Sequence, residues 1–135
     1  MTPHRCPRPM TFVAVVVLGM FAAWPASAGS RRDVLNSSAT PLGPASAYLG
    51  TAVCDWAVTA ITTTVTTDQH SAVGGLELRW SVDGIGWHTT ARETILPHRT
   101  VTLHAEAPRK CYRVAYTNGD VAQGAFSLET LVDDS

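Results

Sequence analysis

The stretch GLELRWSV, residues 75–82, decides the fold. Leu76, Leu78, Trp80 and Val82 alternate with Glu77, Arg79 and Ser81, so one face is apolar and the other polar. A period of two marks a strand with one side on a core and the other in water. Asp83-Gly84 follows at once, a pair suited to a tight turn because Gly adopts positive φ without steric cost. The strand therefore has an antiparallel neighbour, read as residues 85–96, which carries Trp87 and ends at Pro97.

The same texture extends both ways. Residues 100–106 alternate again, with Val101, Leu103 and Ala105 facing inward. After the polar corner Pro108-Arg109-Lys110, residues 111–117 place Tyr112, Val114 and Tyr116 on one face. Asn118-Gly119-Asp120 reads as a second tight turn, and Phe126, Leu128, Thr130 and Val132 form the last alternating face. Upstream, residues 54–67 are strand-like, with Trp56 and Val58 pointing one way and Ile61 and Val65 the other, which calls for a bulge near Ala60. Residues 48–53 form a further short strand. No segment of helical length repeats its apolar residues every 3.6 positions. About six or seven strands at this spacing predict an all-β chain with a single antiparallel β-sandwich over residues 48–135. Trp80, Tyr112, Tyr116 and Phe126 are its expected core aromatics.

The first 28 residues have a different purpose. Arg5 and Arg8 precede an uncharged apolar run of 15 residues, 10–24, and Pro25-Ala26-Ser27-Ala28 closes it. A basic start, an apolar middle and a small-x-small end are the three parts of a secretory signal peptide, with cleavage expected after Ala28. The run falls short of the ~20 residues of a spanning helix, so no membrane association is expected after cleavage. Residues 29–47, GSRRDVLNSSATPLGPASA, lack an apolar period and read as a flexible leader. The mature chain would keep 107 of 135 residues, eight basic and all eleven acidic ones, for a net charge of −3. Its single Lys is Lys110. That bias toward Arg, with abundant Ala, matches an actinobacterial-like, high-GC composition.

Cys6 leaves with the signal. Cys54 and Cys111 remain as an even pair in an oxidising compartment, where a disulfide is the normal outcome. It would close a loop spanning 57 positions and stabilise by about 4 kcal/mol on chain-entropy grounds. A metal or redox role would call for CxxC spacing or nearby histidines, and neither is present.

Three segments carry a family resemblance. Residues 81–87 (SVDGIGW), 112–119 (YRVAYTNG) and 122–130 (AQGAFSLET) resemble the "SxDGxxW", "YVRVxYxNG" and "AQxxFxLxT" segments of a small β-sandwich module found in phage and prophage virion proteins. The resemblance covers roughly residues 59–132. It implies the sandwich fold and a habit of surface display or attachment, with no catalytic residues to carry over. Two features depart from it: a secretory signal is not expected on a virion part assembled in the cytoplasm, and the cysteine pair suits a secreted chain. A secreted bacterial relative of the module is the expectation.

Several function classes drop out. Near-neutral charge excludes a general polyanion binder such as a nucleic-acid protein, which needs a basic surface. There is no GxSxG, and both mature cysteines are expected to be oxidised, so nucleophilic hydrolysis lacks its parts. Asp55, Asp68, Glu77, Glu93, Glu106 and Glu129 are scattered rather than paired across a cleft. His70, His88, His98 and His104 show no HxH or HExxH spacing, although His88 and His104 could meet on neighbouring strands. No catalytic residue, metal ligand or cofactor is assigned. The Thr-rich run 59–67 follows from β-propensity. Asn36-Ser37-Ser38 matches a glycosylation sequon, relevant only in a eukaryotic secretory pathway.

The tryptophans are the lead that remains. An exposed ring offers a flat apolar face on which a sugar can stack. Trp80 belongs to the core, whereas Trp87, Trp56 and Tyr48 are the expected ligand contacts. The reading is a secreted, non-catalytic recognition or adhesion module for cell-wall or environmental glycan. The alternative is a secreted protein-binding module, such as an inhibitor of an extracellular hydrolase, contacting its extracellular partner through residues 68–74 or 97–100.

Overall fold

The computed structural model describes residues 29–106 and 111–134. The expected signal peptide, residues 1–28, lies outside the described residues, as does the corner at Pro108-Arg109-Lys110. Nine strands run in chain order: β1 Ser30–Arg32, β2 Ala47–Leu49, β3 Val53–Cys54, β4 Val58–Thr67, β5 Ser71–Ser81, β6 His88–Glu93, β7 Thr100–Glu106, β8 Cys111–Asn118 and β9 Phe126–Asp134. One sheet is ordered β1-β9-β4-β7; the other is β2-β8-β5-β6, with β3 also paired to β8. All pairings are antiparallel.

The two sheets form a β-sandwich over a shared interior. Ile61 and Val65 of β4 and Leu128 and Val132 of β9 meet Leu76, Leu78 and Trp80 of β5 and Tyr112, Val114 and Tyr116 of β8 in one buried cluster. The rings of Tyr116 and Phe126, one from each sheet, lie 4.9 Å apart and tilted, a favourable aromatic geometry. Thr63 and Thr130 enter the same interior as a pair, their hydroxyls 2.9 Å apart and hydrogen-bonded to each other. That pairing avoids the cost of burying an unmatched polar group.

The chain changes sheets at a corner that the alternation does not reveal. The Asp55 carboxylate accepts the Ala57 amide at 2.9 Å, a local turn that carries the chain from β3 in one sheet to β4 in the other. Trp56 sits on that corner, 76% exposed, while Val58 is buried with Ile61 and Val65. The expected opposition of Val58 to Ile61 and Val65 is therefore corrected. The register shift falls between Val58 and Ala60, and this bulge brings all three into the core. The long strand expected over 85–96 shrinks to β6 because residues 82–87 form a turn that leaves Ile85 83% exposed.

From Ser30 onward the stretch expected as a flexible leader is built into the sandwich. β1 pairs with β9, residues Val34–Asn36 make a single 3-10 turn, and Ser38 bridges to Leu128. Polar groups do this work. The buried Asp33 carboxylate accepts Tyr112 Oη at 2.7 Å and Asn36 Nδ2 at 2.9 Å. Burial and this hydrogen bond push the Tyr112 phenol strongly up. Asn36, fully buried, also donates to the Thr51 carbonyl and accepts the Val114 amide at 2.8 Å. With every polar atom of its amide engaged inside the fold, Asn36 is not a surface sequon.

Asn36→Ala leaves the Val114 amide and the Thr51 carbonyl without their partner. Each buried group so stranded costs about 1–3 kcal/mol. Urea melts of the variant are expected to show a loss in that range; an unchanged midpoint would mean that the 30–38 segment does not anchor the sandwich.

Candidate binding surface

The outer face of the second sheet is organised from the end of β5. Asp83, one residue past the Val82 that follows β5, accepts the Ile85 amide at 2.8 Å, the Gly86 amide at 2.9 Å and the Ser81 hydroxyl at 3.0 Å through one carboxylate oxygen. These donors, the Gly86 and Ile85 amides first, pull its pKa from 3.8 to about 2. Gly84 has φ +82, a conformation that L side chains rarely adopt,. A Cβ there would lie 3.6 Å from Cys111 Sγ and 3.8 Å from Cys54 Sγ. The turn thus rests on the expected Cys54–Cys111 disulfide, which joins directly opposed residues of β3 and β8 with Cα atoms 4.0 Å apart. It staples neighbours within one sheet.

That turn delivers Trp87, half-buried, to the start of β6. The Arg113 guanidinium lies over its ring, 5.0 Å from the centroid, a cation–π contact. Arg113 also donates to the Gly50 carbonyl through Nε and Nη2, at 3.2 and 3.1 Å. Arg79 of β5 is the register partner of Arg113 on the same face. Glu77 completes the group: it accepts Arg79 Nε at 3.2 Å and the Thr89 hydroxyl at 2.9 Å, and Arg92 approaches it to 3.5 Å. Partial burial alone would raise the Glu77 carboxyl, but the hydrogen bonds from Arg79 and Thr89 and the nearby arginine charges outweigh it and hold it below its ordinary value.

The three expected ligand contacts do not form one patch. Trp87 lies on the outer face of the second sheet, with Arg113 on its ring. Trp56 lies at the β3–β4 corner. Tyr48 points inward opposite Tyr116, and its hydroxyl donates to the Leu35 and Ser37 carbonyls at 3.2 and 3.3 Å. Burial first, then the Asp33 charge, raises its phenol. Tyr48 thus fastens the 30–38 segment to the sheet. Arg79, Arg113 and Glu77 are the surface residues that the alternation alone does not single out. Their outward parity is visible in the sequence, but their juxtaposition depends on the β5–β8 register.

The remaining candidates are dispersed. His88 lies on β6 and His104 on β7, in different sheets, and His104 Nδ1 meets the Thr62 hydroxyl at 2.9 Å. Among the described residues no three His, Cys, Asp or Glu side chains cluster as a metal site would require. The expected tight turn at Asn118-Gly119 also differs: Asn118 ends β8, and its amide nitrogen donates to the Gly43 and Val121 carbonyls. Gly119 is required by close approach, since a Cβ would come within 2.6 Å of the His70 carbonyl oxygen. A 530 Å³ cleft, lined by Gln69, His70, Val73, Asp120 and Val121 among others, opens at that opposite end.

These features define a disulfide-stapled β-sandwich with a polar, arginine-bearing outer face. The chain belongs to the family of the N-terminal domain of the uncharacterised protein YqxG, whose pattern matches residues 27–133. Its structure is similar to that of the PBSX exported protein XepA, with a TM-score of 0.68 at 20% sequence identity. The match covers 79% of this chain and 37% of XepA, so the chain spans little more than a third of that protein. It is also similar to PirA, with a TM-score of 0.49 and 11% identity over 75% of this chain and 95% of that one. A third similar chain comes from Bacillus endospore appendages, described as disulfide-linked pili: TM-score 0.47, 10% identity, 79% of this chain and 89% of that one. No curated protein matches the sequence. The XepA likeness, at this identity, shows the shared sandwich fold.

The lowered Asp83 pKa sets the sign of a pH effect. An acid whose folded pKa lies below 3.8 contributes stability that is present above that pH and is lost as pH falls through about 2,. Protection of the Ile85 and Gly86 amides, measured by hydrogen exchange and corrected for intrinsic rates, is expected to decline over that window. Asp83→Ala should lose it at every pH. Equal protection in Asp83→Ala and wild type would show that the carboxylate does not hold the turn.

Proposed function

We propose that the chain is an exported, non-catalytic recognition module that attaches to glycan on a cell surface through the outer face of the second sheet. The observation that carries this reading is the placement of Trp87. A ring of that size outside the core, seated on a stapled turn and steadied by Arg113, is a preformed platform for a sugar ring beside hydrogen-bonding guanidinium groups. The disulfide suits an oxidising compartment, the signal-like first 28 residues suit export, and the similar chain XepA is described as an exported protein.

A second reading has its own observation. Val82 and Ile85 are 62% and 83% exposed on the Asp83 turn, a rigid apolar tip of the kind that seats in a protein partner. Under that reading the module forms a stable one-to-one complex with an extracellular protein, such as a hydrolase it inhibits, and polysaccharide does not disturb the complex.

Retention on washed bacterial cell walls separates the readings. The full chain as secreted is expected to sediment with the walls, and Trp87→Ala is expected to stay in the supernatant with its melting temperature little changed. Absence of wild-type retention would overturn wall attachment. Isolation of a one-to-one protein complex that survives added polysaccharide would favour the second reading.

A further inference from the structure

We propose that Arg79 and Arg113 form a binding site for an oxyanion, the phosphate or carboxylate group of an anionic surface glycan. The inference rests on the recognition reading above and names the chemistry of its ligand. Arg79 and Arg113 are register partners on adjacent strands, with side chains on the same face. Such partners have Cβ atoms about 5 Å apart, and like charges placed directly opposite destabilise a sheet. A fold that keeps this pair carries an electrostatic cost that a bound anion removes.

The surroundings do not supply that anion. Glu77 is the one carboxylate that pairs with this group among the described residues, and it is shared between Arg79 and Arg92. Arg113 has the Gly50 carbonyl and the Trp87 ring instead, so its positive charge is steadied without being neutralised. Three guanidinium groups thus stand against one carboxylate. Two of them are already oriented: Arg113 by Gly50 and Trp87, Arg79 by Glu77. A guanidinium fixed in this way presents its remaining N–H groups to an oxyanion as a planar fork, at a low entropic cost of ordering.

The ligand class follows from shape and balance. The site lies on a sheet face rather than in a cleft, which suits an extended polymer. Trp87 at its edge offers ring surface for a sugar beside the charged group. The chain as a whole is acidic relative to its basic content, with a formal net charge of −1, so attraction is local and does not extend to polyanions in general.

The test uses the full chain as secreted, with poly(glycerol phosphate), polygalacturonate, neutral dextran and a single-stranded oligonucleotide as probes. Binding is measured at low and at physiological salt. The chain is expected to bind one or both of the anionic glycans, more weakly at the higher salt, and to ignore dextran and the oligonucleotide. Retention on the phosphate polymer alone assigns phosphate; retention on polygalacturonate alone assigns carboxylate. Arg79→Gln and Arg113→Gln should each weaken binding by about tenfold, as the loss of one charged hydrogen bond implies. Arg32→Gln, on β1 of the other sheet, should leave it unchanged. Thermal melts confirm that each variant is folded. Equal binding of dextran and the anionic glycans, indifferent to both arginine variants, would overturn this inference and leave glycan recognition standing. Equal binding of the oligonucleotide would overturn the glycan assignment. Failure to bind either anionic glycan overturns the inference, and if wall retention is also absent the recognition reading falls with it.

Discussion

Four long strands, β4, β5, β8 and β9, must bury one side each in a single interior, and the rest of the molecule is arranged by that constraint. Successive residues of a strand point to opposite faces, so committing Leu76, Leu78 and Trp80 to the core commits Glu77 and Arg79 to the outside. The same rule places Arg113 outside between the buried Tyr112 and Val114. The antiparallel register then sets Arg79 against Arg113. The arginine-bearing face is thus a consequence of how the core is filled, together with which residues occupy the alternate positions.

The supporting parts keep that face still. The Asp83 turn rests on the Cys54–Cys111 disulfide and sets the start of β6, where Trp87 stands under Arg113. The Asp33, Asn36 and Tyr112 cluster ties the segment before β2 to β8 from the inside. Neither device adds a large apolar area. Each pins backbone with hydrogen bonds or a covalent link, which suits a mature chain of about a hundred residues whose core alone gives a modest margin of stability.

Much of the fold was legible in the sequence because period-two patterning reports burial directly. Residues 75–82, 111–117 and 126–132 show their inward faces as alternating apolar side chains, and the cysteine pair follows from its compartment. Other features leave no such trace. The segment 30–38 joins the sandwich through Asp33, Asn36 and Ser37, polar residues with no apolar period, so its composition reads as a leader. The corner at Asp55 and the bulge between Val58 and Ala60 rephase a run whose composition is uniformly strand-like. Of the candidate site, Trp87 was legible from the turn before it. Its partner Arg113 and the opposed Arg79 were not, because they come from strands whose register no local pattern states. Tyr48 was misplaced for a related reason: its inward direction depends on pairing with Tyr116.

The central claim is that ligand contacts this one face of the second sheet, and the most direct measurement is backbone and arginine side-chain NMR of the full chain titrated with soluble fragments of bacterial cell wall. The account predicts that perturbations concentrate at Arg79, Arg113, Glu77 and the Trp87 indole, with the outer face of β4 and β7 unaffected. Perturbations confined to the opposite end, around His70, Val73 and Asp120, or spread over the other sheet, would contradict it.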